Sequence, residues 1–189
     1  MHLKKLQNLV KNLDNNTEIY FFDESRFGTH SNIGHGWFKK GKIRNSLEYK
    51  LGYKNFYLYS SVNPISGDSF SLIMPNVNTD NFNAYLENFS QHLEKHHSGK
   101  KVFFIMDGAG WHKSKDLILP QNIEFIVQSP YSPELNPVEK LWQFVKRHTV
   151  KNKVFDKLKD IENQLCNFLK NMTENDYKSI CRIDNILDT

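Results

Sequence analysis

Two apolar segments of the sequence each stop at an aspartate: Asp23 follows residues 19–22, and Asp107 follows residues 102–106. Short runs rich in aromatic and β-branched residues predict buried strands. In open α/β sheets, ligands gather at the carboxyl ends of such strands. If the two strands are neighbours, the carboxylates lie side by side, and a hard divalent cation such as Mg²⁺ would stabilise the pair. The alternative is that each acid merely ends a strand at the surface.

A third acid lies just beyond the proline-rich segment 129–137. Asn136 and Pro137 predict a helix start, with the asparagine as N-cap and the proline in the first helical position. Glu139 then lies third in the helix, on the first turn, where a carboxylate can be aimed at the strand ends. The same position suits a capping box, in which Glu139 bonds to the N-cap backbone. Glu134 in the preceding loop is a competing acid, and Trp142 is expected to be core that fixes the helix or an aromatic available for stacking.

The elements that must position these acids predict an α/β layer architecture, a mixed sheet with helices packed on it. A short amphipathic helix opens the chain, a longer one begins at Thr79, and helical periods recur towards the C-terminus. The turn 63–68 joins two of the strands as an antiparallel hairpin. Strands are predicted at 18–24, 56–62, 69–74, 101–107 and 123–127.

Composition excludes several classes of protein. The 189 residues suit one domain, and the aromatic content of 13% is too high for intrinsic disorder. No apolar run approaches the roughly 20 residues of a membrane span, so no membrane partner is expected. The two cysteines cannot form a disulfide framework and indicate a reducing compartment. Lysine and arginine number 25 against 21 acids, which is only weak evidence for a nucleic-acid partner.

Four motifs accompany the acids and carry a resemblance to a known family. They are Phe-Asp-Glu-Ser-Arg-Phe at 22–27, Gly-Trp at 36–37 with Lys-Gly at 40–41, Met-Asp-Gly-Ala-Gly-Trp-His-Lys-Ser at 106–114, and Ser-Pro-Glu-Leu-Asn-Pro-Val-Glu-Lys-Leu-Trp at 132–142. With these motifs the chain resembles the DDE transposases of the insertion-sequence-630 family, the bacterial branch of the mariner superfamily. The resemblance implies a ribonuclease-H-like fold with a mixed five-stranded sheet flanked by helices. It also implies an N-terminal helix and linker over 1–16, the catalytic domain over 17–153, and C-terminal helices over 154–189 packed on that domain.

The resemblance further implies that Asp23, Asp107 and Glu139 are the catalytic acids and hold two Mg²⁺ or Mn²⁺ ions. Gly108 and the short step from Asp107 to Glu139 depart from the usual mariner pattern, but neither removes a carboxylate. The implied activity is cleavage and strand transfer of double-stranded DNA, at transposon ends and target, by a protein that is a homodimer when DNA-bound. The implied location is the bacterial cytoplasm, in association with the nucleoid.

Two alternatives stay open: a ribonuclease-H-like nuclease that only hydrolyses, and a catalytically idle or truncated fragment of a split transposase that binds DNA or a partner chain. About 17 residues precede the first catalytic strand, too few for the helix-turn-helix modules that the resemblance leads us to expect. The sequence is therefore expected to be a catalytic fragment, a split reading frame or a decayed copy.

Further residues are candidates for DNA contacts, which would be sequence-independent and salt-dependent if made to phosphates. The alternative is a solvated surface, or for His112 a packed or capping histidine. The candidates are Lys40, His112, Lys113, Lys140, Lys146 and Arg147. Separately, His92 and His96 lie one helical turn apart, as metal ligands can. With no suitably placed acid in the sequence, we interpret them and His97 as a solvated helix face.

Overall fold

The computed structural model describes residues 3–32, 49–110, 114–128 and 136–183. Lys40, His112, Lys113 and Glu134 lie outside these ranges. The strands are β1 Thr17–Gly28, β2 Asn55–Val62, β3 Ser69–Met74, β4 Lys101–Met106 and β5 Ile123–Val127. The helices are α1 Leu3–Lys11, α2 Thr79–His96, α3 Val138–Thr149, α4 Leu158–Lys170 and α5 Glu174–Ile180. None of the helices within the described ranges is both long and apolar enough to cross a membrane.

The strands form one five-stranded sheet in the order β3-β2-β1-β4-β5. β1 pairs antiparallel with β2 and parallel with β4, and β4 pairs parallel with β5. The predicted mixed sheet is therefore confirmed, and so is the hairpin of β2 and β3. Most important for the site, the two strands that lead to the aspartates are parallel neighbours.

β1 differs from its prediction, because it continues to Gly28 rather than stopping at the first aspartate. Its distal part is polar in sequence, yet Ser25 and Phe27 are buried and every residue from Phe21 to Gly28 has a partner on β2. Charged residues on one side of that segment make the alternation of buried and exposed side chains hard to recognise in the sequence. The pairing of β1 with β4 ends near Asp23. Its last aligned pair is Phe21 with Ile105.

Helices cover both faces of the sheet. Successive β1 side chains point to opposite sides, so each face carries apolar residues that a helix can bury. Tyr20 and Phe22 face the α2 side, in a core cluster with Phe82, Tyr85 and other aromatic rings. The Phe22 ring lies 5.0 Å from that of Tyr85, and such ring pairs contribute about 0.5–1.5 kcal/mol beyond area burial.

The opposite face of the sheet packs on the C-terminal helices. Phe21 on β1 belongs to a second core cluster with Val138 and Val145 of α3 and Ile161 of α4. Tyr177 of α5 joins the same cluster. This second core fixes α3 against the face of β1 that carries the odd-numbered side chains.

Candidate active site

The sheet register brings the two aspartates onto neighbouring strands. Phe21 aligns with Ile105, and Asp23 and Asp107 each lie two residues further along their chains. Neighbouring strands are about 4.8 Å apart, so the two backbones carry these acids side by side. The condition set in the sequence analysis, that the two strands be neighbours, is met. Asp107 is exposed just beyond β4, and its Oδ1 accepts a hydrogen bond of 3.1 Å from the Ala109 backbone N–H.

Alternation along β1 sends Asp23 and Glu24 to opposite faces of the sheet. Asp23 is on the side of Phe21, which packs with α3. Glu24 is on the side of α2, where its charge contributes to raising the pKa of Tyr59, chiefly raised by burial. The two adjacent acids therefore have separate surroundings, and only Asp23 faces the helix that carries the third acid.

Asn136 fastens the start of α3 to β1. Its Nδ2 donates to the Phe22 carbonyl at 3.0 Å, while its Oδ1 accepts from the Val138 backbone N–H at 3.1 Å. The helix begins at Val138 with Pro137 as N-cap, so the prediction of Asn136 as N-cap is one residue early and Glu139 is second in the helix, not third. The capping-box interpretation of Glu139 is wrong, because proline offers no backbone N–H for the carboxylate to accept.

One face of α3 is aimed at Asp23. Residues three and seven apart share a helix face, and the Trp142 indole Nε1–H donates to Asp23 Oδ2 at 2.8 Å. Trp142 is buried, which fits the expected core role. Sequence reasoning missed its hydrogen bond to Asp23. The signal was the spacing of Glu139, Trp142 and Lys146, which puts them on one helix face.

The electrostatics of this face concern two acids and one lysine. The pKa of Asp23 is raised to about 7, chiefly by burial; the Trp142 hydrogen bond opposes the rise, and the negative charges of Glu139 and Glu24 contribute to it. Burial lowers the pKa of Lys146, while Glu139 and Asp23 act in the opposite direction. The ionised carboxylate of Asp23 is thus costly to hold, and a bound divalent cation would offset that cost.

The donor set fits hard divalent cations, because all three acids offer oxygen. Within the described ranges, no group joins the carboxylates of Asp23, Asp107 and Glu139 within 4.8 Å of one another.

The basic candidates on α3 have different surroundings. Lys146 is half-buried with its Nζ 5.5 Å from the centre of the Phe27 ring, next to the acids. Lys140 is exposed and donates to the Arg182 carbonyl at 2.6 Å, away from this face, and Arg147 is exposed. The structure brings only Lys146 to the acids.

A cleft of about 420 Å³ adjoins Lys146, and sequence reasoning missed it. Its lining includes the cationic or aromatic side chains Arg26, His30, Tyr53 and Lys54 together with Lys146. Tyr53 is 85% exposed, so its ring is available to a ligand. The lining residues come from β1, the segment before β2 and α3, which is why no single stretch of sequence revealed the cleft.

Comparison with known proteins agrees with this fold and site. Residues 18–162 match the family model described as DDE superfamily endonuclease. The chain belongs to this family. The match spans all three acids, from the start of β1 into α4.

Two individual proteins are similar in sequence to this DDE superfamily chain. It is 22% identical to the transposable element Tc3 transposase of Caenorhabditis elegans, covering 95% of this chain and 57% of that protein. It is 33% identical over 110 residues to the uncharacterized protein y4pE/y4sA of Sinorhizobium fredii, covering 58% of this chain and 79% of that protein.

Solved structures show the same fold. The Mos1 transposase paired-end complex with the left transposon end superposes with a TM-score of 0.74 at 18% identity, covering 94% of this chain and 55% of that one. The mariner Mos1 paired-end complex with Mg gives a TM-score of 0.75 at 19% identity. The chain thus has the ribonuclease-H-like fold of the Mos1 catalytic domain, and it spans about half the length of these transposases.

Changing Trp142 to phenylalanine tests the contact with Asp23. Phenylalanine retains most of the buried ring but removes the indole N–H that orients the carboxylate. We expect metal binding to weaken about 10–100-fold, the usual cost of losing a group that orients a ligand. The measurement is the Mn²⁺ concentration that gives half-maximal DNA cleavage, with the fold checked by circular dichroism. An unchanged metal requirement in the folded variant would show that the indole does not position Asp23.

Proposed function

We propose that this chain is the catalytic domain of a DNA transposase of the insertion-sequence-630 branch of the mariner superfamily. The proposed reaction is metal-dependent cleavage and strand transfer of DNA. The observation that supports it most is that Asp23 and Asp107 each lie two residues beyond the last aligned pair of the parallel neighbours β1 and β4, with the Glu139 helix bonded to Asp23 through Trp142. Membership of the DDE superfamily and the full set of acids support it as well.

Asp23, Asp107 and Glu139 would hold two Mg²⁺ or Mn²⁺ ions. When bound, such ions supply Lewis acidity at the scissile phosphate and lower the pKa of an attacking water or DNA hydroxyl. Trp142 keeps the Asp23 carboxylate turned towards α3. The same site would cut and then join strands, because only the attacking oxygen differs between hydrolysis and transesterification.

The proposed substrate is double-stranded DNA, first the transposon ends and then the target. Lys146 is suited to a phosphate near the acids because its ammonium is held against Phe27 on their side of α3. Arg26, Lys54 and Tyr53 in the adjoining cleft extend this surface with two cations and an aromatic ring. Lys40, His112, Lys113, Lys140 and Arg147 stay predictions as further contacts. We also propose a homodimer on DNA, and a bacterial cytoplasmic protein that associates with the nucleoid.

The test is a cleavage assay on labelled duplex DNA that carries the terminal repeats of the element, with Mg²⁺ or Mn²⁺. Wild type is expected to cut and join, and Asp107→Asn to lose both. Asp116→Asn is the matched control, because Asp116 is an exposed acid nine residues further along the chain and outside the site. Cleavage without joining would instead identify a hydrolytic nuclease. No reaction from folded wild type, even with the rest of a transposase supplied, would identify an idle fragment.

Lys146 and Arg147 are adjacent on α3 but differ in surroundings, which makes them a matched pair. Changing Lys146 to methionine is expected to reduce cleavage and to lower the salt dependence of DNA binding by about one phosphate contact. Changing Arg147 to methionine is expected to have a smaller effect on cleavage, because its side chain is exposed on another part of the helix. Binding titrations at several salt concentrations measure both. Equal losses of cleavage in the two variants would contradict the assignment of Lys146 to the site.

A further inference from the structure

A second cluster of titratable side chains lies near the start of β1, away from the acids. Asp68 in the β2–β3 turn meets His92 on α2 and His97, the residue that ends α2. The adjoining Glu18 is five positions before Asp23 on β1, about 16 Å along a strand. The three side chains Asp68, His92 and His97 are half-buried and each offers a donor atom within 4.8 Å of the others. We name these three residues the distal triad.

The sequence interpretation of these histidines as a solvated helix face is wrong for His92 and His97. Their side chains and that of Asp68 are only 16–18% exposed. Asp68 is the acid that sequence analysis did not identify. It is 24 residues from His92 and lies on the hairpin turn. His96, in contrast, is exposed.

The distances in the distal triad match those between ligands of one tetrahedral ion. Asp68 Oδ2 lies 2.9 Å from His92 Nε2 and 3.5 Å from His97 Nε2. Zinc–nitrogen and zinc–oxygen bonds of about 2.0–2.2 Å put neighbouring ligand atoms about 3.4 Å apart at the corners of a tetrahedron. Two imidazoles and one carboxylate can therefore close on one ion with small side-chain movements.

Surrounding groups hold these ligands in place. The Nδ1 of His97 is 3.7 Å from Glu18 Oε1, so Glu18 places a carboxylate beside this imidazole without a hydrogen bond to it. Glu18 is itself held by the Asn63 amide, at 2.6 Å, and by an ion pair with Lys100. The Tyr20 hydroxyl donates to Asp68 Oδ2 at 2.7 Å.

The turn that carries Asp68 is fixed in position. Asn63 Oδ1 accepts from the Ile65 and Ser66 backbone N–H groups at 2.9 and 3.1 Å. Gly67 adopts φ +79°, and a Cβ there would lie 2.1 Å from the Glu174 carbonyl oxygen, so only glycine suits the position. A ligand on such a turn loses little further freedom on binding a metal.

We propose that the distal triad is a binding site for Zn²⁺, with Asp68 Oδ2, His92 Nε2 and His97 Nε2 as protein ligands and water in the fourth position. Two imidazoles favour a borderline ion such as Zn²⁺ over Mg²⁺, which the all-oxygen set of Asp23, Asp107 and Glu139 suits. A bound Zn²⁺ would join the β2–β3 turn to the end of α2. The proposal does not depend on the transposase reaction.

The experiment measures Zn²⁺ binding to the metal-stripped full chain by calorimetry, with the visible absorption of bound Co²⁺ as a report on geometry. We expect one tetrahedral site per chain, with affinity reduced about 100-fold or more in His92→Gln and His97→Gln. His96→Gln is the matched control, since that histidine is one turn from His92 but exposed, and it should bind as wild type does. A variant with Asp23→Asn and Glu139→Gln should also bind Zn²⁺ normally.

The Asp68→Asn variant distinguishes loss of Zn²⁺ binding from loss of the fold. Asparagine keeps an oxygen that can accept the Tyr20 and His92 hydrogen bonds, so the variant is expected to stay folded while losing Zn²⁺. The proposal is overturned if folded wild type binds no Zn²⁺, because the distal triad is then a hydrogen-bonded network only. It is also overturned if His96→Gln weakens binding as much as His92→Gln, or if the Asp23 and Glu139 variant alone loses the ion.

Discussion

Replacing Asp23 with asparagine is expected to abolish metal-dependent DNA cleavage while making the metal-free protein more stable at pH 8. Cleavage should fall by about 10³-fold or more, equivalent to at least about 4 kcal/mol of transition-state stabilisation. Asparagine keeps an oxygen to accept the Trp142 hydrogen bond but lacks the charge that would bind two cations. The loss therefore arises in the site and not in the fold.

The stability gain follows from the raised pKa of Asp23, which burial shifts from 3.8 to about 7. Because the folded state binds this proton more tightly than the unfolded state, the side chain contributes less stability as the pH rises from about 4 through 7. Asparagine has no charge to desolvate, so the free energy of unfolding in EDTA should exceed that of wild type by about 1–4 kcal/mol at pH 8. The difference should shrink at pH 4.

Denaturant unfolding at pH 4 and pH 8, with EDTA or with Mg²⁺, measures this effect. Mg²⁺ should stabilise wild type and not Asp23→Asn. Glu24→Gln is the matched control, since Glu24 is the neighbouring acid on the opposite face of β1, and it should retain cleavage. A variant that loses cleavage because it unfolds, or a Glu24 variant that is equally inactive, would contradict the role given to Asp23.

Much of the secondary structure could be predicted from the sequence, because the residues that mark each element are close together in the chain. The bounds of β3 and β5 and the start of α2 agree with the prediction, since apolar runs and polar turns mark them plainly. The continuation of β1 past Asp23 could not be predicted, because polar residues there pair with β2 and the partner strand is distant in sequence.

The side chains of the candidate sites also divide into those that local sequence indicates and those that depend on tertiary packing. Asp23 and Asp107 could be selected because each follows an apolar run, although β1 continues past Asp23, and the sequence left the adjacency of the two strands as a condition. The Trp142 bond to Asp23, which joins residues 119 apart in sequence, could not. The cleft beside Lys146 and the approach of Asp68 to His92 also depend on tertiary packing, which a single sequence does not display.

Replacing Glu139 with glutamine is expected to reduce metal-dependent cleavage by about 10³-fold, equivalent to about 4 kcal/mol. The amide preserves the size of the side chain, and no capping box depends on the carboxylate because the N-cap is Pro137. Its charge is felt by Asp23 and by Lys146, so it acts on the site itself. Secondary structure and thermal stability should therefore stay close to wild type.

Glu134→Gln is the matched control for Glu139. It changes the competing acid that precedes Asn136 in the same motif, and it should leave cleavage near the wild-type rate. The assay compares single-turnover cleavage of terminal-repeat DNA by both variants over a range of Mn²⁺ concentrations. If Glu134→Gln were inactive and Glu139→Gln active, the third acid would have to be reassigned to the loop.

The bond from Asn136 to the Phe22 carbonyl spans 114 residues, and it has a consequence for the protein during synthesis. A nascent chain that ends before α3 contains both aspartates and can pair their strands, but it has neither Glu139 nor the indole that turns Asp23. Closing so long a loop is an entropic cost, which the pairing of β1 with β4 and the docking of α3 both offset. If the proposed function holds, incomplete chains would lack two groups of the site, and a local opening that releases α3 would separate Glu139 and Trp142 from Asp23 while the sheet stays intact.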